Sequence, residues 1–261
     1  MAGVTARLVG TERYAQLRSI YWKVIVGLIV RRARGRIVGG PFAGTAYAIG
    51  AVNSASVPKL LGTYERELQV EVEGLARVPW VRVIDVGAAE GYYAVGFARR
   101  VRGAEVLAYE SDEHGRRLLQ DNVRRNGVGR RVRILGECTR AELAARLAEP
   151  RLPTLAILDV EGAEADLLSE TDPAHLARVT FLIEVHDFAS CPGGALIGAR
   201  LRERLERTHD LRAIASAPRH KSEFPRRFWF VPPRNRGHAM DEYRPRTMEW
   251  IVARPRFDPR T

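Results

Sequence analysis

Downstream of Thr63 the chain alternates short apolar runs with amphipathic stretches, and this alternation limits it to few architectures. Apolar runs of four to six residues bounded by helices read as strands covered on both faces, which a doubly wound parallel sheet requires. The expected order starts with a helix over Thr63–Arg77 and a strand over Val81–Val86, separated by Pro79. A helix over Gly91–Val101, a strand over Glu105–Glu110 and a helix stopped by Gly127 follow. Strand Arg131–Gly136 leads to Thr139 and Glu142, a capping-box spacing that opens a helix to Ala148. Strand Thr154–Val160, a short helix from Ala163, strand Val179–His186, a helix across Leu196–Thr208 and strands Leu211–Ser216 and Met248–Pro255 complete the series.

With 261 residues, 46% of them hydrophobic, the chain can bury the core of one large α/β domain. Two segments break the alternation. Residues 1–62 precede the first regular unit and read as an N-terminal extension to a main domain of residues 63–261. Residues 218–246, rich in Pro, Arg and aromatics, read as an irregular insertion before the last strand that covers the active site.

The chain has no run of about 18 apolar residues, the length a spanning helix needs. Its most apolar stretch, Ile20–Val30, is interrupted by Lys23 and followed by RRARGR. It fits a segment packed on the main domain, with peripheral membrane contact as the alternative. Cys138 and Cys191 form no disulfide or zinc pattern, so a reducing cytoplasm is the expected compartment. Nothing in the sequence signals an oligomeric state.

A net charge of +11 raises the question of nucleic acid. Only Lys23, Lys59 and Lys221 are lysines, so 42 − 3 = 39 basic residues are arginine, and they are spread along the whole chain. A GC-rich genome gives such a skew without selection for RNA. An Asn/Asp-Pro-Pro-aromatic segment, which receives a flipped base in amino-group methylation, is also missing: Asp159-Val-Glu-Gly stands after the fourth strand.

The strand-turn-helix VIDVGAAEGYYAVGFARR, Val83–Arg100, is a nucleotide-binding turn of some kind. A phosphate loop needs Gly-Lys-Ser/Thr, and Glu90-Gly91-Tyr92 offers none. A dinucleotide turn wants G-x-G-x-x-G, and Glu90 would repel a pyrophosphate there. S-adenosylmethionine carries an ammonium and a sulfonium and no phosphate, so carboxylates suit it. Asp85 can face the ammonium through water, and Gly87 lets backbone approach closely. Glu110 can accept both ribose hydroxyls, and Glu137-Cys138 ends the third strand, where the adenine edge lies. A second acidic group follows, with Asp159, Glu161 and Glu164 after the fourth strand and Glu184, His186 and Asp187 after the fifth. Charges at the ends of neighbouring apolar strands are costly unless paired, hydrated or used.

In order along the chain, DVGAAEGYY, AYES, DVEGAE and IEVH resemble the marks of the FkbM-like class I methyltransferases. PKLLGTYERE, Pro58–Glu67, also resembles the stretch those proteins carry before the first strand. The likeness is good over Pro58–Val185 and loose beyond. It implies a Rossmann-like seven-stranded methyltransferase sheet, S-adenosyl-L-methionine as cofactor, and O-methylation of a sugar, polyketide or other small acceptor. The donor contacts it implies are Tyr64, Glu65, Asp85, Gly87, Ala88, Gly91, Tyr92, Glu110, Ser111, Glu137, Cys138 and Asp159. Ala89 departs from the pattern, standing where many relatives have Asn.

For proton removal His186 is the first candidate, because an imidazole accepts a proton near neutral pH. Glu184 shares its strand face and can orient it, and Asp159 and Glu161 stand in the same relation on the neighbouring strand. Asp159, Glu161, Glu184 and Asp187 are hard oxygen donors that suit a divalent ion, although their spacing does not demand one. Arg226, Arg227, Phe228, Trp229, Tyr243 and Arg244 in the insertion fit either a glycosylated or anionic acceptor or plain packing.

Overall fold

A computed structural model of the chain describes residues 20–48, 56–149, 152–187, 196–244 and 246–256. The first 19 residues of the extension and Cys191 lie outside the described residues. The strands are β1 (Arg82–Val86), β2 (Glu105–Tyr109), β3 (Val132–Leu135), β4 (Thr154–Leu158), β5 (Val179–Val185), β6 (His209–Ala215) and β7 (Glu249–Pro255). They form one seven-stranded sheet in the order β3-β2-β1-β4-β5-β7-β6. It is a Rossmann-like α/β sheet, with the strand order reversing beside β1.

The sheet is mixed, which corrects the expectation of purely parallel strands. β1 to β5 pair in parallel, and β7 runs antiparallel to both β5 and β6. The MEWIVARP run is apolar because β7 is covered on both faces, and a continuous apolar run carries no information about strand direction.

Strand alternation sorts the core into two layers. Val83, Ile157 and Leu182 belong to the layer shared with α1 (residues 20–33), α3 (Gln69–Leu75), α4 (Tyr92–Arg100), α5 (Glu113–Arg125) and α10 (Pro233–Met240). Ile84, Leu158 and Ile183 belong to the opposite layer with α6 (Arg140–Ala148), α7 (Glu164–Leu167), α8 (Pro173–Leu176) and α9 (Ile197–Leu205). Counting by twos from the first layer, Asp85, Glu110, Asp159 and Glu184 all fall on one face of the sheet at the carboxyl ends of their strands.

Three local expectations change. The helix expected over Thr63–Arg77 is broken: α2 (Ser56–Leu61) ends at Gly62, and Glu65 sits at φ 44° before a 3-10 turn over Arg66–Leu68 leads into α3. Side-chain contacts made by Glu65, described below, override its helical preference. Thr139 does cap α6 by accepting from the Glu142 amide at 3.2 Å, but Glu142 takes the Tyr109 hydroxyl instead of returning a bond. The 218–246 insertion holds two 3-10 turns and α10, with Phe224, Phe228, Val231, Ala239 and Met240 buried. Pro233 opens α10 at its first turn, where a missing N–H costs nothing.

Candidate active site

The turn after β1 is shaped by crowding from β4. Gly87 has φ 85°, and a Cβ there would stand 1.7 Å from the Asp159 carbonyl oxygen. The close backbone approach that Gly87 permits is therefore to the neighbouring strand end. Ala89 also adopts a left-handed φ of 47°, which a short polar residue such as Asn tolerates better than alanine. Its amide donates to Glu110 Oε2 at 2.6 Å, while the Asp112 amide donates to Oε1 at 2.7 Å. Glu110 thus braces the turn from β2 and keeps lone pairs on both oxygens for a ligand.

Glu90 does not face the cavity, which corrects its use as a reason against a pyrophosphate. It is fully buried, 2.5 Å from Lys59 Nζ and 2.5 Å from the Tyr47 hydroxyl. Burial would raise its pKa, but the Lys59 charge and these hydrogen bonds hold it below the ordinary range.

At the end of β4 the chain turns through Glu161 at φ 54° and Gly162 at φ 108° into α7. The turn aims Glu164 inward, where it accepts from the Gly162 amide at 3.0 Å and lies 2.6 Å from His186 Nδ1. Glu164, not Glu184, orients His186. The other imidazole nitrogen, Nε2, is 3.5 Å from Glu161 and 3.8 Å from Asp159. Burial alone would depress the imidazole, yet the hydrogen bond to Glu164 and the charges of Asp159, Glu164 and Glu184 raise it to about 9. A base poised near neutrality was expected; the carboxylates instead keep His186 protonated there.

Glu184 is engaged by Arg244, whose guanidinium also lies 2.9 Å from Glu65 and 2.9 Å from Glu242. Glu242 is shared with Arg219, which also pairs with Glu67 at 2.7 Å. Two arginines thus serve four buried or nearly buried carboxylates. Burial first, and then repulsion from Glu184 at Glu65 and from Asp159 at Glu184, push the two carboxyls up to about 8 despite Arg244. Burial likewise raises Asp85 and Asp159 to about 7. Asp85 Oδ2 is buried with no hydrogen-bond partner among the described residues.

These strand ends line a cavity of about 730 Å³, within the usual range for small-molecule sites. Nine of its lining residues are aspartate or glutamate, against Lys59, Arg140, Arg244 and the protonated His186. An acidic cavity in a chain of net charge +11 is a local arrangement, not a reflection of composition. Tyr64, Asp85, Gly87, Ala88, Tyr92, Glu110, Ser111, Glu137, Cys138, Asp159, Glu161, Glu184 and His186 all line it. Burial raises the Cys138 thiol to about 12, so it is a neutral wall and not a thiolate.

Other expected residues lie elsewhere. Gly91, at φ 89°, packs under Leu119, and Glu65 is buried behind the wall with Tyr93 and Arg244. Asp187 accepts from the Gly198 amide at 3.0 Å, which removes it from the acidic group. Phe228 is core, Trp229 is 74% exposed, and neither they nor Arg226 and Arg227 line the cavity. From the insertion it is Glu242, Tyr243 and Arg244 that reach it. Sequence reasoning missed Glu242 as a site residue, and Glu164 as the partner of His186. Asp159, Glu184 and His186 offer ligand atoms within 4.8 Å of one another.

No family model matches the chain, and no curated protein matches it. Solved structures of similar outline include a cofactor-bound protein of MTB, at 13% identity over 88% of this chain and 90% of that one, with a TM-score of 0.49. The human methyltransferase 10 domain containing protein aligns at 15% identity over 82% and 90%, TM-score 0.49. The precorrin-6y C5,15-methyltransferase of Geobacter metallireducens aligns at 12% over 81% and 94%, TM-score 0.48. Likenesses this distant carry no functional inference, which rests on the site itself.

Proposed function

We propose that the chain is a class I, S-adenosylmethionine-dependent methyltransferase, and that it methylates a hydroxyl oxygen of a small molecule such as a sugar or secondary metabolite. One observation carries the proposal: a ligand-sized cavity at the carboxyl ends of β1, β2, β4 and β5 with more buried carboxylate than its arginines neutralise. Raised carboxyl pKa values at Asp85, Asp159 and Glu184 mark a site that gains by admitting a cation. The unpartnered Asp85 oxygen and the free lone pairs of Glu110 fit the ammonium and the ribose of the donor. Glu137 and Cys138 would flank its base, and Tyr64 and Tyr92 would wall its other end. The O-methyl specificity and the small acceptor come from the FkbM-like motifs.

When bound, the donor supplies an activated methyl group on a sulfonium sulfur. What this chain supplies is alignment and proton management. His186, fixed by Glu164, presents Nε2 to the cavity and takes the acceptor hydroxyl proton once it is in its neutral form. Asp159 and Glu161 hold that nitrogen's surroundings polar, and Glu184 is poised by Arg244 to accept a bond from an acceptor hydroxyl. No divalent ion is included, because Arg244 already occupies the Glu184 carboxylate and Glu164 holds His186 Nδ1.

Calorimetry on cofactor-free protein tests the donor. S-adenosylmethionine should bind with measurable heat and a pyridine dinucleotide should not; the reverse pattern refutes the proposal. With donor bound, radiolabelled methyl should pass to a hydroxylated acceptor and remain undiminished after exhaustive chelation.

A further inference from the structure

Residues 20–36 and 224–240 contain no aspartate or glutamate. Between them they carry Lys23, Arg31, Arg32, Arg34, Arg36, Arg226, Arg227, Arg234 and Arg236. The fold brings the two segments together on one surface. The Tyr21 hydroxyl donates to Asn235 Oδ1 at 3.2 Å, Arg32 Nε donates to the Arg227 carbonyl at 3.4 Å, and the Trp22 and His238 rings lie 4.2 Å apart. Among the described residues none of these nine cations makes an ion pair with a carboxylate, in contrast to Arg82, Arg100, Arg219 and Arg244 elsewhere.

The same surface exposes apolar side chains. α1 buries Ile25, Ile29 and Ala33 against the domain, while Ile20, Val24 and Leu28 repeat every fourth residue on its outer side, 58%, 55% and 46% exposed. Leu28 shares a shallow depression with Phe230, Arg31, Arg32 and Arg34, and the exposed Trp229 packs edge-on against Phe230. An apolar stripe with only basic residues at its rim combines the two signals that hold a helix in the plane of a lipid interface.

We propose that this face docks on the surface of an anionic lipid bilayer. Ile20, Val24, Leu28 and Trp229 enter the boundary between headgroups and acyl chains, and the arginines meet lipid phosphates. Attachment is peripheral, since no described helix is long and apolar enough to cross a membrane. The exposed aliphatic side chains favour a bilayer over RNA, because phosphates reward the arginines but give nothing back for Ile20, Val24 and Leu28. The proposal is independent of the donor assignment, since it concerns a surface outside the cavity.

The full chain is sedimented with vesicles of phosphatidylcholine and of an equimolar mixture of phosphatidylcholine and phosphatidylglycerol. It should partition to the mixed vesicles, release as salt rises, and stay in solution with phosphatidylcholine alone. The double variant Val24→Ser/Leu28→Ser should weaken partitioning about tenfold or more, and Arg31→Gln about fivefold. All three side chains are exposed, so an unchanged melting temperature verifies the fold of each variant. No partitioning to the mixed vesicles overturns the proposal, as does partitioning that Val24→Ser/Leu28→Ser leaves intact. Binding to single-stranded polyuridylate without vesicle binding assigns the face to nucleic acid and equally overturns it.

Discussion

Lys59 Nζ lies 2.5 Å from Glu90 Oε1, with both side chains withdrawn from solvent at 5% and 0% exposure. The pair clamps α2 to the glycine turn, and Tyr47 and Asn122 close around it through the Glu90 carboxylate and carbonyl. The N-terminal segment is thereby part of the site's foundation.

Removing one member of such a pair leaves the other charge buried. Lys59→Met should lower unfolding free energy by about 3–5 kcal/mol, and Lys59→Met/Glu90→Gln should recover much of that loss. Urea titrations of the two variants provide the check. A single variant within about 1 kcal/mol of the parent would show that the pair is not what holds the turn.

The second prediction concerns backbone crowding. Gly87→Ala sets a methyl against the Asp159 carbonyl in a left-handed conformation, so neither movement nor rotamer choice relieves it. It should cost about 3 kcal/mol or more, or prevent folding. Gly136→Ala, at the same end of the sheet with nothing within 4 Å of the new Cβ, should be close to neutral. Melting temperatures of the pair separate crowding at Gly87 from a general intolerance of the cavity rim.

Much of this was legible in the sequence because strands and glycine turns are local signals. The continuous apolar runs of β1, β2, β4 and β5 are each followed or ended by a carboxylate, which places Asp85, Glu110, Asp159 and Glu184 at one rim of a parallel arrangement. Pairing partners were not legible, because they are contacts over distance. Arg244 lies 60 positions from Glu184 and 179 from Glu65, with no periodicity linking them. Lys59 is 31 positions from Glu90, so a carboxylate in a cofactor turn read as ligand-facing when it is a buried anchor. The direction of β7 was lost for a related reason, since an apolar run is the same forwards and backwards.

The third prediction is a pH dependence of stability. Asp85 and Asp159 are held up to about 7, against an ordinary 3.8, and Glu65 and Glu184 up to about 8, against 4.5. Across that interval the folded chain binds protons that the unfolded chain has released, so stability falls as pH rises. His186, raised from 6.5 to about 9, acts in the same direction over its own interval. The melting temperature of cofactor-free protein should drop by about 5 °C or more between about pH 5 and pH 9. Affinity for a cationic ligand should rise over the same range, because the cavity becomes more negative. A melting temperature that climbs with pH would contradict the buried carboxylates as described.

The last prediction separates the two roles at His186. A proton acceptor must be neutral, so turnover should rise with pH through about 9 and not level off near 6.5. Glu164→Gln removes the charge and the carboxylate acceptor at Nδ1, so the midpoint should move down by about one unit or more. His186→Gln should cut turnover by ~10²–10⁴-fold while donor affinity stays within a few-fold. Should Glu164→Gln lower the rate at every pH without moving the midpoint, Glu164 acts only as a brace for the turn. Should His186→Gln retain full turnover, the proton leaves by another route, and Asp159, the half-buried carboxyl group beside Nε2, becomes the residue to replace next.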